Sequence, residues 1–157
     1  MKRYLSWFGN SLMALALLGL SSPTIFANPR PFHLVEFGKI TATPRDQSGT
    51  ILDVVANGVG TATHLGAITV ERTATLTATN TPGIFDFNGD ATLTAANGDQ
   101  LTTEIVGTFN ANTGHADLLY EWTGGTGRFA NATGLTAWSV DVANGSYSVV
   151  ADGEIDY

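Results

Sequence analysis

The chain has 157 residues, 14 acidic against 7 basic, a formal net charge of −7 and no cysteine. Those numbers exclude a disulfide framework and an anchor that needs a lipid-carrying cysteine. They also argue against nucleic acid or an anionic membrane surface as partner, since both require a basic face.

Residues 1–27 carry the three parts of a secretory signal peptide. Lys2 and Arg3 supply the positive start, residues 12–20 the apolar stretch, and Ala27 the small residue at the cut. An apolar run of that length is too short to span a bilayer, which needs about 20 residues. The expected organisation is a cleaved signal over 1–27 and one domain over 28–157. The product would be secreted or periplasmic and free of the membrane after cleavage. Loss of two basic residues would make it more acidic still. A domain of this size buries roughly two-thirds of its unfolded surface and needs no cross-links.

Residues 28–31, with two prolines, read as an extended lead rather than a helix interior or central strand. Residues 33–43 form the first strand candidate, with Leu34, Glu36, Gly38 and Ile40 on one parity. A loop follows over 44–49. Residues 50–65 read as strand interrupted by a turn at Asn57-Gly58, a pair that accepts positive φ. In residues 67–79, Ala74, Leu76 and Ala78 alternate with Thr73, Thr75, Thr77 and Thr79, the period of two that marks a strand.

Thr81-Pro82-Gly83 breaks that run. Phe85, Phe87, Gly89, Ala91, Leu93 and Ala95 then oppose Asp86, Asp90, Thr92 and Thr94. Beyond a turn at Asn97-Gly98, Leu101, Thr103, Ile105, Gly107 and Phe109 alternate with Thr102, Glu104, Val106 and Thr108. After a turn at 110–114, Leu118, Tyr120 and Trp122 share a face. The glycine-rich stretch 124–134 reads as a sharp turn feeding the next strand. Trp138, Val140 and Val142 follow it, then a turn at Asn144-Gly145, then Tyr147, Val149 and Ala151.

No stretch of 28–157 places apolar residues at helical spacing, and its glycine and threonine density disfavours helix. About eight strands joined by short turns predict an all-β, eight-stranded antiparallel up-and-down barrel, whose closure removes exposed edges. The segment Ala74-Thr-Leu-Thr-Ala-Thr-Asn80 is nearly repeated at Ala91-Thr-Leu-Thr-Ala-Ala-Asn97. We read this as two strands solving one packing problem, because a solenoid needs at least three repeats.

Phe85, Phe87, Phe109, Tyr120, Trp122, Trp138 and Tyr147 share the apolar parity. They are the expected core and the candidate ligand-binding set. An eight-stranded barrel either fills with side chains or holds one small ligand. Small residues on the same parity (Gly89, Ala91, Ala95, Gly107, Ala151) leave room for a small apolar molecule. The opposite, threonine-rich parity, with Val70, Val106 and Leu119, is read as a face on which copies of the chain could associate.

Catalytic patterns are sparse. His33, His64 and His115 lack ligand spacing, so no metal site is expected. No Gly-x-Ser-x-Gly sequence surrounds Ser139, Ser146 or Ser148. Glu104 and Glu121 lie off the aromatic parity and are read as exposed. The Gly-Gly-Thr-Gly run has no following Lys and helix, so it is not a phosphate loop. Asn131-Ala-Thr133 and Asn144-Gly-Ser146 fit the short glycosylation sequon. No cofactor is expected.

The run over 122–153, with Thr123-Gly124-Gly125-Thr126-Gly127-Arg128-Phe129, resembles the C-terminal part of plant allene oxide cyclases. Dirigent proteins carry a similar Gly-Gly-Thr-Gly-x-Phe motif. Gly60-Thr61-Ala62-Thr63-His64-Leu65-Gly66 and Ala96-Asn97-Gly98-Asp99-Gln100-Leu101 resemble stretches of bacterial exported proteins of this barrel class. The resemblance implies a calycin-type β-barrel, with Phe129 plugging one end. It transfers no catalytic residue, and this chain has Ala130 and Thr133 where dirigent proteins carry arginines. Two functions follow. One is an exported barrel that binds a small hydrophobic ligand or serves a structural role. The other, implied by the resemblance, is a cofactor-free isomerase or cyclase acting on an oxidised lipid or a phenolic substrate. A charged side chain turned into the barrel, with Glu36, Arg72 or Asp86 as candidates, would separate them.

Overall fold

The alternating lettering becomes eight strands in the computed structural model, which describes residues 28–157. They are β1 (Arg30–Pro44), β2 (Ile51–Ala62), β3 (Gly66–Ala78), β4 (Ile84–Ala95), β5 (Gln100–Asn110), β6 (His115–Gly125), β7 (Leu135–Ala143) and β8 (Ser146–Ile155). Each pairs antiparallel with its sequence neighbours, and β8 returns to β1, closing the barrel. The expected signal peptide lies outside the described residues.

Side chains alternate across a strand, so one parity of every strand faces the interior. On β3 the inward set is Ile68, Val70, Arg72, Ala74 and Leu76. On β4, Phe87, Ala91, Leu93 and Ala95 are buried, and on β6, Ala116, Leu118, Tyr120 and Trp122. The near-repeat thus places Ala74 and Leu76 of β3, and Ala91 and Leu93 of β4, on the same inner wall. Burying each large apolar side chain contributes ~1.5–3 kcal/mol, so this wall supplies most of the driving force.

Three sequence expectations change. Asn57-Gly58 is no turn: β2 runs straight through it, with Gly58 opposite Gly38 of β1 and Val70 of β3. Pro31 lies within β1, paired with Glu154 of β8. The strand tolerates it because β2 pairing begins only at Leu34, so the missing N–H faces no partner strand there. Val70 belongs to the interior and is 1% exposed, whereas Val106 and Leu119 face outward as direct cross-strand partners.

The two ends of the barrel differ. One end carries the start of β1, Tyr157 and the 125–135 connection. In that connection a one-turn 3-10 helix at Gly127–Phe129 drives Phe129 into the barrel mouth. Phe129 is fully buried, its ring 4.8 Å from that of Tyr157. Phe32 packs at a tilt of 58° against Trp122, ring centres 4.9 Å apart, and Trp122 Nε1 donates to Thr136 Oγ1 at 3.0 Å. That end is sealed. The β6 strand accommodates the turn by a bulge where Thr102 and Thr103 of β5 face Gly124 and Trp122.

Candidate functional site

The opposite end is open. Its connections are β1–β2, β3–β4, β5–β6 and β7–β8, and a cavity of about 240 Å³ runs inward from them. The β7–β8 connection is the tight Asn144-Gly145 hairpin turn foreseen in the sequence, with both φ values positive. Ile40, Leu76, Phe87, Phe109, Leu118 and Val140 form its apolar walls. Arg72, Tyr120 and Tyr147 line its polar part.

A buried ion pair lies at mid-barrel. Glu36 of β1 is 1% exposed and Arg72 of β3 is 6% exposed. Arg72 Nη2 donates to Glu36 Oε2 at 3.1 Å, and Nη1 to Oε1 at 3.4 Å. Tyr147 donates its hydroxyl hydrogen to the same Oε1. The guanidinium carbon also lies 5.3–5.7 Å from the ring centres of Tyr147, Trp138 and Tyr120, within cation–π range. Tyr120 and Trp138 stack face to face, 3.7 Å apart at 5°.

Small residues make room for this cluster. Glu36 stands opposite Gly60 of β2, and Arg72 opposite Ala56. The two charges therefore straddle Gly58, and their bridge passes over a strand position with no side chain. A methyl group at Gly58 would stand 2.6 Å from Glu36 Oε1, and one at Gly38 would stand 2.8 Å from Tyr147 Cε1. Gly58 is a space left for side chains from β1 and β8, whereas Gly38 and Gly60 are met first by backbone of the neighbouring strand.

Burial opposes ionisation of the two tyrosines of the site. It pushes the Tyr120 hydroxyl up, against the pull of the Arg72 charge, and does the same to Tyr147. Burial also works against the charged form of Arg72. The surrounding Tyr120, Glu36 and Tyr147 groups outweigh it and hold Arg72 above its ordinary value. Alkaline titration followed by phenolate absorbance is expected to show Tyr120 and Tyr147 ionising well above the ordinary value of 10.0. Stability should fall as pH rises past that value, because the unfolded chain releases these protons first. Normal ionisation of both tyrosines in the folded protein would contradict the enclosed site.

The aromatic candidates divide by depth. Phe87, Phe109, Tyr120 and Tyr147 stand on the cavity wall. Phe85 is half-buried and packs against the core. Trp138 lies behind Tyr120, and Trp122 belongs to the sealed end. Of the three charged candidates, Glu36 and Arg72 turn inward and Asp86 faces solvent. Glu104 and Glu121 are exposed and directly opposite one another. The histidines are scattered: His33 pairs with Asp152 at 2.7 Å, His64 meets the Pro31 carbonyl at 3.0 Å, and His115 pairs with Asp141 at 2.7 Å. The hydrogen bond to Asp141 holds His115 above its ordinary value. Among the described residues, no group of three or more His, Asp or Glu is placed to hold a metal ion.

Fold and site together define a closed eight-stranded antiparallel barrel, sealed at one end, with an apolar cavity over a buried ion pair. No family model and no curated protein matches the chain. Among solved structures it is similar to the pterocarpan synthase dirigent protein GePTS1, with a TM-score of 0.51 and 16% identity. The match covers 87% of this chain and 97% of that one. The barrel is of the dirigent type.

Proposed function

We propose that this barrel binds one small, largely apolar molecule in its open-ended cavity and works outside the cytoplasm. The signal-like pattern over 1–27 supports export. One observation carries the binding reading: a one-ended apolar cavity terminates on a buried charged pair and phenolic groups. A buried ion pair is a poor stabiliser compared with apolar residues of the same volume. Apolar walls with a few convergent polar groups are the usual make-up of a ligand site.

Titration of the purified protein with the neutral fluorophore N-phenyl-1-naphthylamine tests this. Saturable one-site binding is expected, and Val142→Trp, at the cavity mouth, should abolish it without unfolding the barrel. Absence of saturable binding to a panel of such apolar probes would remove the ligand reading.

A second reading is favoured by the charged interior: a cofactor-free isomerase or cyclase acting on an oxidised lipid or phenolic substrate. The similarity to a dirigent protein described as a pterocarpan synthase supports it. In that case the enclosed walls hold the substrate's conformation and exclude water. Tyr147, hydrogen-bonded to Glu36 and facing the cavity, is then the group that can hold or pass a proton.

A further inference from the structure

We infer that the cavity selects a neutral molecule that carries a carbonyl oxygen on an otherwise apolar body, and that it binds with that oxygen leading. The inference rests on the ligand-binding reading above and specifies its chemistry. Two buried donors beside the cavity, Arg72 Nε and the Tyr120 hydroxyl, make no well-formed hydrogen bond to protein, although the guanidinium and the Tyr120 hydroxyl lie close to one another. Both residues line the same cavity, and the guanidinium carbon lies 5.7 Å from the Tyr120 ring centre. Buried polar groups are nearly always satisfied, and each one left unmatched is costly. Trp138 Nε1 also lacks a partner, but Trp138 is not on the cavity wall and adds nothing here.

The rest of the cluster decides the sign of the charge. Glu36 is fully engaged by Arg72 Nη1, Arg72 Nη2 and Tyr147. The pair is electrically balanced. A carboxylate ligand would bring a negative charge that no buried group compensates, and an ammonium would meet a cation at close range. Arg Nε offers only a donor, and the tyrosine hydroxyl can offer a second. A carbonyl oxygen, with two lone pairs and no charge, matches two donors. The apolar walls take the remainder of the molecule.

Three naphthalene probes of one shape test this: 2-acetylnaphthalene, 2-ethylnaphthalene and 2-naphthoate, each titrated into the full-length protein by tryptophan fluorescence. Tyr120→Phe should weaken 2-acetylnaphthalene about fivefold, the worth of one hydrogen bond, and leave 2-ethylnaphthalene unchanged or tighter. Its melting temperature without ligand should change little, since the hydroxyl makes no well-formed hydrogen bond. Arg72→Lys keeps a cation beside Glu36 but removes Nε, and should weaken the ketone selectively in the same way. 2-Naphthoate should bind more weakly than the ketone. Equal losses for ketone and hydrocarbon in both variants, or tightest binding of 2-naphthoate, would overturn the carbonyl assignment while leaving the cavity a ligand site. Failure of all three probes to bind would overturn both.

Discussion

Glu36→Gln is expected to lower the free energy of unfolding by about 3–5 kcal/mol, measured by urea denaturation. The change is nearly isosteric, so almost all of the loss comes from charge. Arg72 would be left ionised and 94% or more enclosed among Tyr120, Trp138 and Tyr147, with no anion beside it. The double replacement Glu36→Leu with Arg72→Leu should recover most of that stability, because removing both charges also removes their desolvation cost. A loss below about 1 kcal/mol for Glu36→Gln would mean that the pair behaves like an exposed one. Recovery of stability in the double variant, together with loss of probe selectivity, would place the pair among groups held for binding rather than for folding.

Gly58→Ala is expected to cost about 1–3 kcal/mol, the range for inserting a methyl group into a filled site. The added carbon would lie 2.6 Å from Glu36 Oε1, 3.0 Å from the Phe37 carbonyl oxygen, and against the Tyr147 hydroxyl. The carboxylate must swing away, which loosens its grip on Arg72. The cost should therefore be strongly non-additive with Glu36→Gln, since both changes break one bridge. Simple additivity of the two losses would show that the bridge does not depend on the open space at Gly58. Probe binding should weaken in Gly58→Ala as well, because Tyr147 is a wall of the cavity and a partner of the same carboxylate.

Most of the inner wall was legible residue by residue. From Phe85 onward each apolar parity faces the interior, through Leu93, Ile105, Tyr120, Trp138 and Val149. The glycine-rich stretch was readable as a turn, and its resemblance pointed to the barrel type and to Phe129 as an end plug. Arg72 carried a usable signal, as a charge on the inward parity between Val70 and Ala74. So did Glu36, between Leu34 and Gly38. Neither residue announced its partner. The site is therefore the part least visible in the lettering: the aliphatic walls look like any core, and the two inward charges do not show that they meet.

Asn57-Gly58 shows why local rules failed. As a dipeptide it is among the strongest hairpin signals, and at Asn144-Gly145 that signal holds, with both φ values positive. At Gly58 the glycine answers a different need, space for a side chain from β1 and another from β8. That need exists only once the sheet has closed.

What the sequence determined alone is the alternation: which residues of each strand face inward, how many strands there are, and where most of them turn. Alternation is set by bond geometry within a strand and needs no distant partner. The register by which β8 meets β1, the meeting of Glu36 with Arg72 across Gly58 and the open cavity at the end opposite Phe129 were decided only by the tertiary structure. They depend on strand register around the whole barrel, which the interior must satisfy all at once.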